Sequence, residues 1–350
     1  MKKALLTLVA LLSLSASAWA APFTPDAARF TLPEGQVLAH IDMSRMSQSQ
    51  TFKDLVAFIS SNPSGQKDLA EFKEKFGVDP FGLGSITLSV NAPTKSTSPE
   101  ITAYVTGEFP QEKILAGLKA ESKDFDTIKH GNHTLYVAQN DQSTISFVKG
   151  GMLAFGSEGT IKGDAVARKL LDGQGATGDL ATISKGFSAD KDVWVAFKPS
   201  EAMVADLKMK SPQMGAFTQW VVSVDMAPGL HIHAEGKATA EVAQALATMA
   251  NMQIQQMKAS PQAAMFGGLI NKSTISAKGD TLVVDVPLNT QDVAQLKMMA
   301  MMAMMSMQQQ MAPKQPSFPQ LQKPVAPMKK AAKPAAPPAM LAPSAPTPAP

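Results

Sequence analysis

Apolar and polar residues alternate in short runs along most of this chain, and between those runs the apolar spacing lengthens to three and four. The first pattern is that of a half-buried strand and the second that of an amphipathic helix. Val37–Asp42 predicts a strand. The stretch from Thr51 to Phe76 predicts helix, with Phe52, Leu55, Val56 and Ile59 on one stripe, and Asn62-Pro63-Ser64-Gly65 breaks it in two. After a turn at Gly77-Val78-Asp79-Pro80, Ser85–Val90 and Ile101–Thr106 again alternate with period two. A helix is predicted over Pro110–Ala120, then hairpins around His130-Gly131-Asn132 and Gly150-Gly151, then a short helix over Thr160–Leu171.

Much of this order returns further on. Val193–Lys198 predicts a strand and Pro199–Met209 a helix. Trp220–Met226 and Leu230–Glu235 predict paired strands around Ala227-Pro228-Gly229. Thr239 can cap a helix running to about Lys258. Ser273–Ala277 and Thr281–Val286 flank Lys278-Gly279-Asp280, and Asn289 with Asp292 predicts a reciprocal cap on a last helix. Short connections between successive strands favour antiparallel pairing. The expected fold is therefore α+β: mainly antiparallel sheets with helices on one face, in a duplicated unit. Residues 21–185 form the first predicted unit and 186–288 the second.

The ends of the chain read differently. Lys2 and Lys3, an apolar run from Ala4 to about Leu14, and Ala18-Trp19-Ala20 form a bacterial-type secretory signal peptide over residues 1–20. Cleavage is expected between Ala20 and Ala21, which places the mature protein in the periplasm, at the cell surface or outside the cell. Residues 312–350 hold twelve prolines, five lysines and no acidic residue. Proline removes the amide donor, and the segment has too few large apolar side chains to repay ordering. A disordered, extended tail is expected there. Its charge of +5 sits on a body that is mildly acidic, at −4 over residues 21–311. The basic pI is thus a property of the tail and gives no reason to expect a nucleic-acid partner. Such a composition suits either a tether to anionic polymers of the envelope or a passive, solubilising linker. No run in the mature chain is long and apolar enough to predict a transmembrane segment.

Gly77-Val78-Asp79-Pro80, the paired strands after it, the signal peptide and the repeated order of elements resemble a group of bacterial secreted α+β proteins. The resemblance spans roughly residues 30–290. It implies export and the duplicated fold. It implies no activity, because no functional residues are established for that group.

Candidate chemistry is sparse. The chain has no cysteine, which removes disulfides, thiolate metal sites and cysteine nucleophiles together. No nucleotide-binding glycine loop or hydrolase nucleophile motif occurs in its proper context. The expectation is a non-catalytic binding or scaffolding protein. The most unusual stretch is the predicted helix over residues 289–311, with methionines at 298, 299, 301, 302, 304, 305, 307 and 311. Spacings of three and four stack Met298, Met301, Met302 and Met305 along one helix face. Such a face suits docking on the body, a second copy of the chain or an envelope protein. Its soft thioether sulfurs also suit Cu(I), which gives a periplasmic copper-binding protein as the alternative. Reversible oxidation of the thioethers is a further use. His231 and His233 share one face of a predicted strand, as do His40 and Asp42. These pairs support a third reading, a metal-dependent enzyme. Two surface histidines on a wet sheet face explain His231 and His233 more simply, since no longer zinc motif accompanies them.

Overall fold

The computed structural model describes residues 25–298, apart from 34, 62, 92–98, 122–123, 140–142, 158–162, 176–179, 181, 183–190, 211–212 and 260–269. The signal peptide, Met301, Met302, Met305 and the Pro-rich tail lie outside the described residues.

Twelve strands join in a single sheet among the described residues. They are β1 Val37–Asp42, β2 Ser85–Asn91, β3 Glu100–Thr106, β4 Phe125–His130, β5 His133–Ala138, β6 Thr144–Val148, β7 Gly151–Ser157, β8 Val193–Phe197, β9 Gln219–Asp225, β10 Gly229–Lys237, β11 Thr274–Lys278 and β12 Thr281–Asn289. Their order across the sheet is β11-β12-β10-β9-β8-β1-β2-β3-β7-β6-β5-β4. Every pairing is antiparallel. The two predicted units meet where β1 pairs with β8, with His40 opposite Trp194 and Ala39 opposite Val195. Their strand orders run in parallel. In the first, β1, β2 and β3 lie side by side, and the chain leaves through a helix and returns as β7 beside β3. In the second, β8, β9 and β10 lie side by side, and the chain leaves through a helix and returns as β12 beside β10. The first half carries one extra hairpin.

The helices are α1 Pro25–Arg29, α2 Met43–Gln48, α3 Gln50–Ser61, α4 Pro63–Phe76, α5 Gln111–Glu121, α6 Gly163–Leu171, α7 Glu201–Lys210, α8 Ala240–Lys258 and α9, residues 290–298. Several start where the sequence places a cap. The alternation of β1 ends at Asp42, whose carboxylate accepts the Arg45 N–H at 3.0 Å and so caps α2. Thr239 accepts the Val242 N–H at 3.3 Å to start α8. Asn289 and Asp292 cap α9 reciprocally, at 2.8 and 2.9 Å.

The main core lies on one face of the sheet, where Met43, Phe52, Phe76, Ile114 and Leu118 from α2 to α5 pack on Ile86 and Val105. Ladder register carries that face across the seam to Leu282, against which Ala243 and Ala247 of α8 pack. So far the helices share one face, as the pattern predicts. α6 and α1 differ. Ala167, Leu170 and Phe30 pack on Tyr104, Leu135 and Leu153, which point to the opposite face. The physical reason is visible in β7, where Met152, Leu153, Ala154 and Phe155 are all buried. A strand that is apolar at successive positions needs cover on both sides.

Candidate functional site

Three aspartates line up at one end of the sheet because β8 starts where its two neighbours stop. Asp42 ends β1, Asp192 precedes β8, and Asp225 ends β9. The Asp42 N–H donates to the Asp192 carbonyl at 2.8 Å, which fixes the first two side by side. Cations answer the carboxylates around this end. Arg45, in the first turn of α2, donates its Nε to Asp192 at 3.0 Å. Lys191 donates to Asp225 at 2.8 Å. Lys272 pairs with Asp292, the capping residue of α9. The Met226 N–H also donates to Asp192, so both oxygens of that buried carboxylate are engaged.

These groups surround a cleft of about 620 Å³. Arg45, Lys191, Asp192, Asp225, His231 and Lys272 form its polar side, and Leu230, Pro228 and Leu288 its apolar side. Arg45 engages Asp192 through Nε, which leaves its two terminal nitrogens without a partner among the described residues. A guanidinium edge of this kind suits a carboxylate or phosphate oxygen. Asp42 sits just behind. Burial raises its pKa, the Asp192 charge adds to the rise, and hydrogen bonds from Arg45 and Ser44 oppose it.

His231 and His233 lie on one face of β10, as the alternation predicts, with ring centroids 6.4 Å apart. Asp285 stands opposite His233 on β12. His233 bonds Asp285 through Nδ1 at 2.7 Å and Glu235 through Nε2 at 3.0 Å. His231 Nε2 reaches the same Asp285 oxygen at 3.3 Å. Burial alone would lower the pKa of His233, but the bonds and charges of Asp285 and Glu235 outweigh it and raise the value. Asp285 moves the other way: burial opposes its charge, and the two histidines lower it. A metal at His233 would have to displace both of these hydrogen bonds. Among the described residues, no group of three or more His, Asp or Glu side chains is arranged to hold a metal ion.

His40 and Asp42 share a face too, but both are buried. His40 Nδ1 bonds Thr87 Oγ1 at 2.9 Å, and its ring stacks on Trp194 at 5.9 Å. Desolvation lowers its pKa to about 4, so it is a neutral core imidazole at physiological pH. Met298 is exposed at the end of α9.

No family model matches this chain, and no curated protein matches it. Solved structures of TP0453 are similar to it. Crystal form III has a TM-score of 0.44 at 10% identity, covering 80% of this chain and 99% of that one. Crystal form IV has a TM-score of 0.42 at 11% identity, covering 79% and 97%.

The cleft was not legible beforehand. Its pairs join residues 147 and 34 positions apart, Arg45 with Asp192 and Lys191 with Asp225. The one local signal was Asp42 at the junction of a strand with Met43.

Proposed function

We infer that this chain is an exported, non-catalytic binding or scaffolding protein of the bacterial cell envelope. The strand-end cleft carries this reading. Asp192 and Asp225 are each paired with a cation, and the terminal nitrogens of the Arg45 guanidinium, which have no partner among the described residues, are placed for a ligand oxygen. The apolar wall of Leu230 and Leu288 can shelter such a contact from water. The signal sequence supports export, and no helix among the described residues is long and apolar enough to cross a membrane. The lysines of residues 312–350 supply a tether to anionic envelope polymers, a contact that salt weakens over a Debye length of about 8–10 Å.

A second reading, copper binding, draws on Met298, whose exposed thioether opens the methionine run that includes Met301, Met302 and Met305. Native mass spectrometry of the protein taken from the envelope separates the two. The expected result is an N-terminus at Ala21 and a chain free of stoichiometric copper. One bound copper per chain, lost on replacing Met298, Met301, Met302 and Met305 by leucine, would establish the second reading. An intact Met1 on cytoplasmic material would overturn export.

A chain ending at Met311 should bind the envelope fraction less than the full-length protein at low salt, with a difference that shrinks as salt rises. Equal binding at low salt would remove the tether.

A further inference from the structure

Most of the large apolar side chains that stand in solvent among the described residues are thioethers. Among the described residues, seven large apolar side chains stand substantially in solvent, and six are methionines: Met203, Met209, Met249, Met252, Met257 and Met298. Leu55 is the seventh. Met209 is 78% exposed, and Met252 and Met298 are each 55% exposed. The core is built otherwise, mainly from Phe, Leu, Ile, Val and Ala, with Met43, Met46 and Met152 its only methionines below 5% exposure among the described residues.

Packing does not account for this division, because a side chain in solvent fills no gap. A single metal or partner contact does not account for it either. The six lie on three separate helices, α7, α8 and α9, and each site would need its own further ligands. One property is common to all six: a thioether side chain on a residue more than a third exposed to solvent.

We propose that these methionines are oxidation sites, through which the protein consumes hypohalous acids outside the cytoplasm. The thioether sulfur gives two electrons to hypochlorous acid. Chlorine leaves as chloride, one oxygen becomes bonded to sulfur, and the proton goes to solvent. The product is methionine sulfoxide, with one oxidant consumed per residue. Position makes the step harmless to the fold. In a core, a sulfoxide places a polar group where no partner waits. At Met209 or Met252 the new oxygen faces water. The reversal takes two electrons from a dithiol. This chain has no cysteine, so the dithiol must come from a separate reductase that acts on surface sulfoxides. The sequence extends the same chemistry, with eight methionines between residues 298 and 311.

The test is a titration of the mature full-length protein with hypochlorous acid, followed by peptide mass spectrometry and thermal unfolding. Met203, Met209, Met249, Met252 and Met298 should each gain one oxygen before Met43, Met46 or Met152 reacts. The unfolding midpoint should not fall while the exposed sites fill. A methionine sulfoxide reductase with its dithiol should return the native mass. Replacing Met203, Met209, Met249 and Met252 by leucine preserves apolar area and removes sulfur. This variant should fold as before, take up one oxygen less for each residue replaced, and protect an oxidant-sensitive reporter enzyme less well. Exposed sites that react no sooner than buried ones would overturn the proposal, as would unfolding on their oxidation. Unchanged reporter protection by the leucine variant would also overturn it.

Discussion

Trp194→Ala is expected to lower the unfolding free energy by about 3–5 kcal/mol, the range for deleting a buried tryptophan. Trp194 is 0% exposed and lies on β8 at the seam. It packs with Leu38, Leu180, Ala196 and Val221, and its ring stacks on His40. Its loss removes a large apolar surface and leaves a cavity that the ladders on both sides hold open. Domains of this kind have a total stability of only about 5–15 kcal/mol, so the variant should unfold at a much lower denaturant concentration. Trp220 supplies the contrast. It is half-buried beside Phe217, at 4.2 Å between ring centroids. Trp220→Ala should cost less, because part of its ring already meets water. Equal losses for the two substitutions would contradict the placement of Trp194 at the centre of the sheet.

Acidification from pH 7 to pH 4 should destabilise the fold through His40. Its ordinary value is 6.5 and burial lowers it to about 4. Between those values the unfolded chain binds a proton that the folded chain refuses, so stability falls as the pH falls. At about 1.4 kcal/mol per pH unit, the interval amounts to roughly 3 kcal/mol. Among the described residues, Thr87 and Trp194 contact the ring, and neither of these two side chains carries a charge. Other groups act in different windows. Asp285 and Asp292 have lowered values, so the stability they contribute is present above the ordinary carboxylate value and is lost as pH falls through the folded one. Asp42 is raised and has the opposite sign, gaining stability as it takes up its proton. His233 is raised as well. Its contribution is complete below the unfolded histidine value and is lost as pH rises through the folded value. His40→Gln should flatten the slope of stability against pH between about 6.5 and 4, whatever it costs at neutral pH. Direct titration of the His40 ring by NMR in the unaltered protein provides a second check. A value near 6.5 would refute the assignment.

Local order was legible because it is set by neighbours in the chain. Alternation alone located Val37–Asp42 to the residue. Pro63 marked the boundary between α3 and α4. Thr239, and Asn289 with Asp292, marked helix starts because a cap needs only a side chain within three residues of the amide it serves. The same alternation put His231 and His233 on one face, as they are. The short helices α1 and α2 escaped it, since five or six residues show no period.

Long-range packing settled what distance along the chain hides. Nothing local says that β3 pairs with β7 instead of with β4, or that β1 and β8 join both halves into one sheet. Pairing partners are chosen by the burial of whole faces, a sum over strands that no window of sequence contains. For the same reason His40 and His233, similar in sequence, part company. His40 lies where Thr87 and Trp194 close over it and stays neutral, while Asp285 and Glu235 draw His233 toward its charged form. The cleft follows the same rule. Arg45, Lys191, Asp192 and Asp225 are ordinary charged residues in the sequence, and they become a site because three neighbouring strands meet at one end of the sheet. Elements, caps and the supply of methionine follow from residues near one another in the chain; which charges meet and which sulfurs face water follows from the sheet that brings distant residues together.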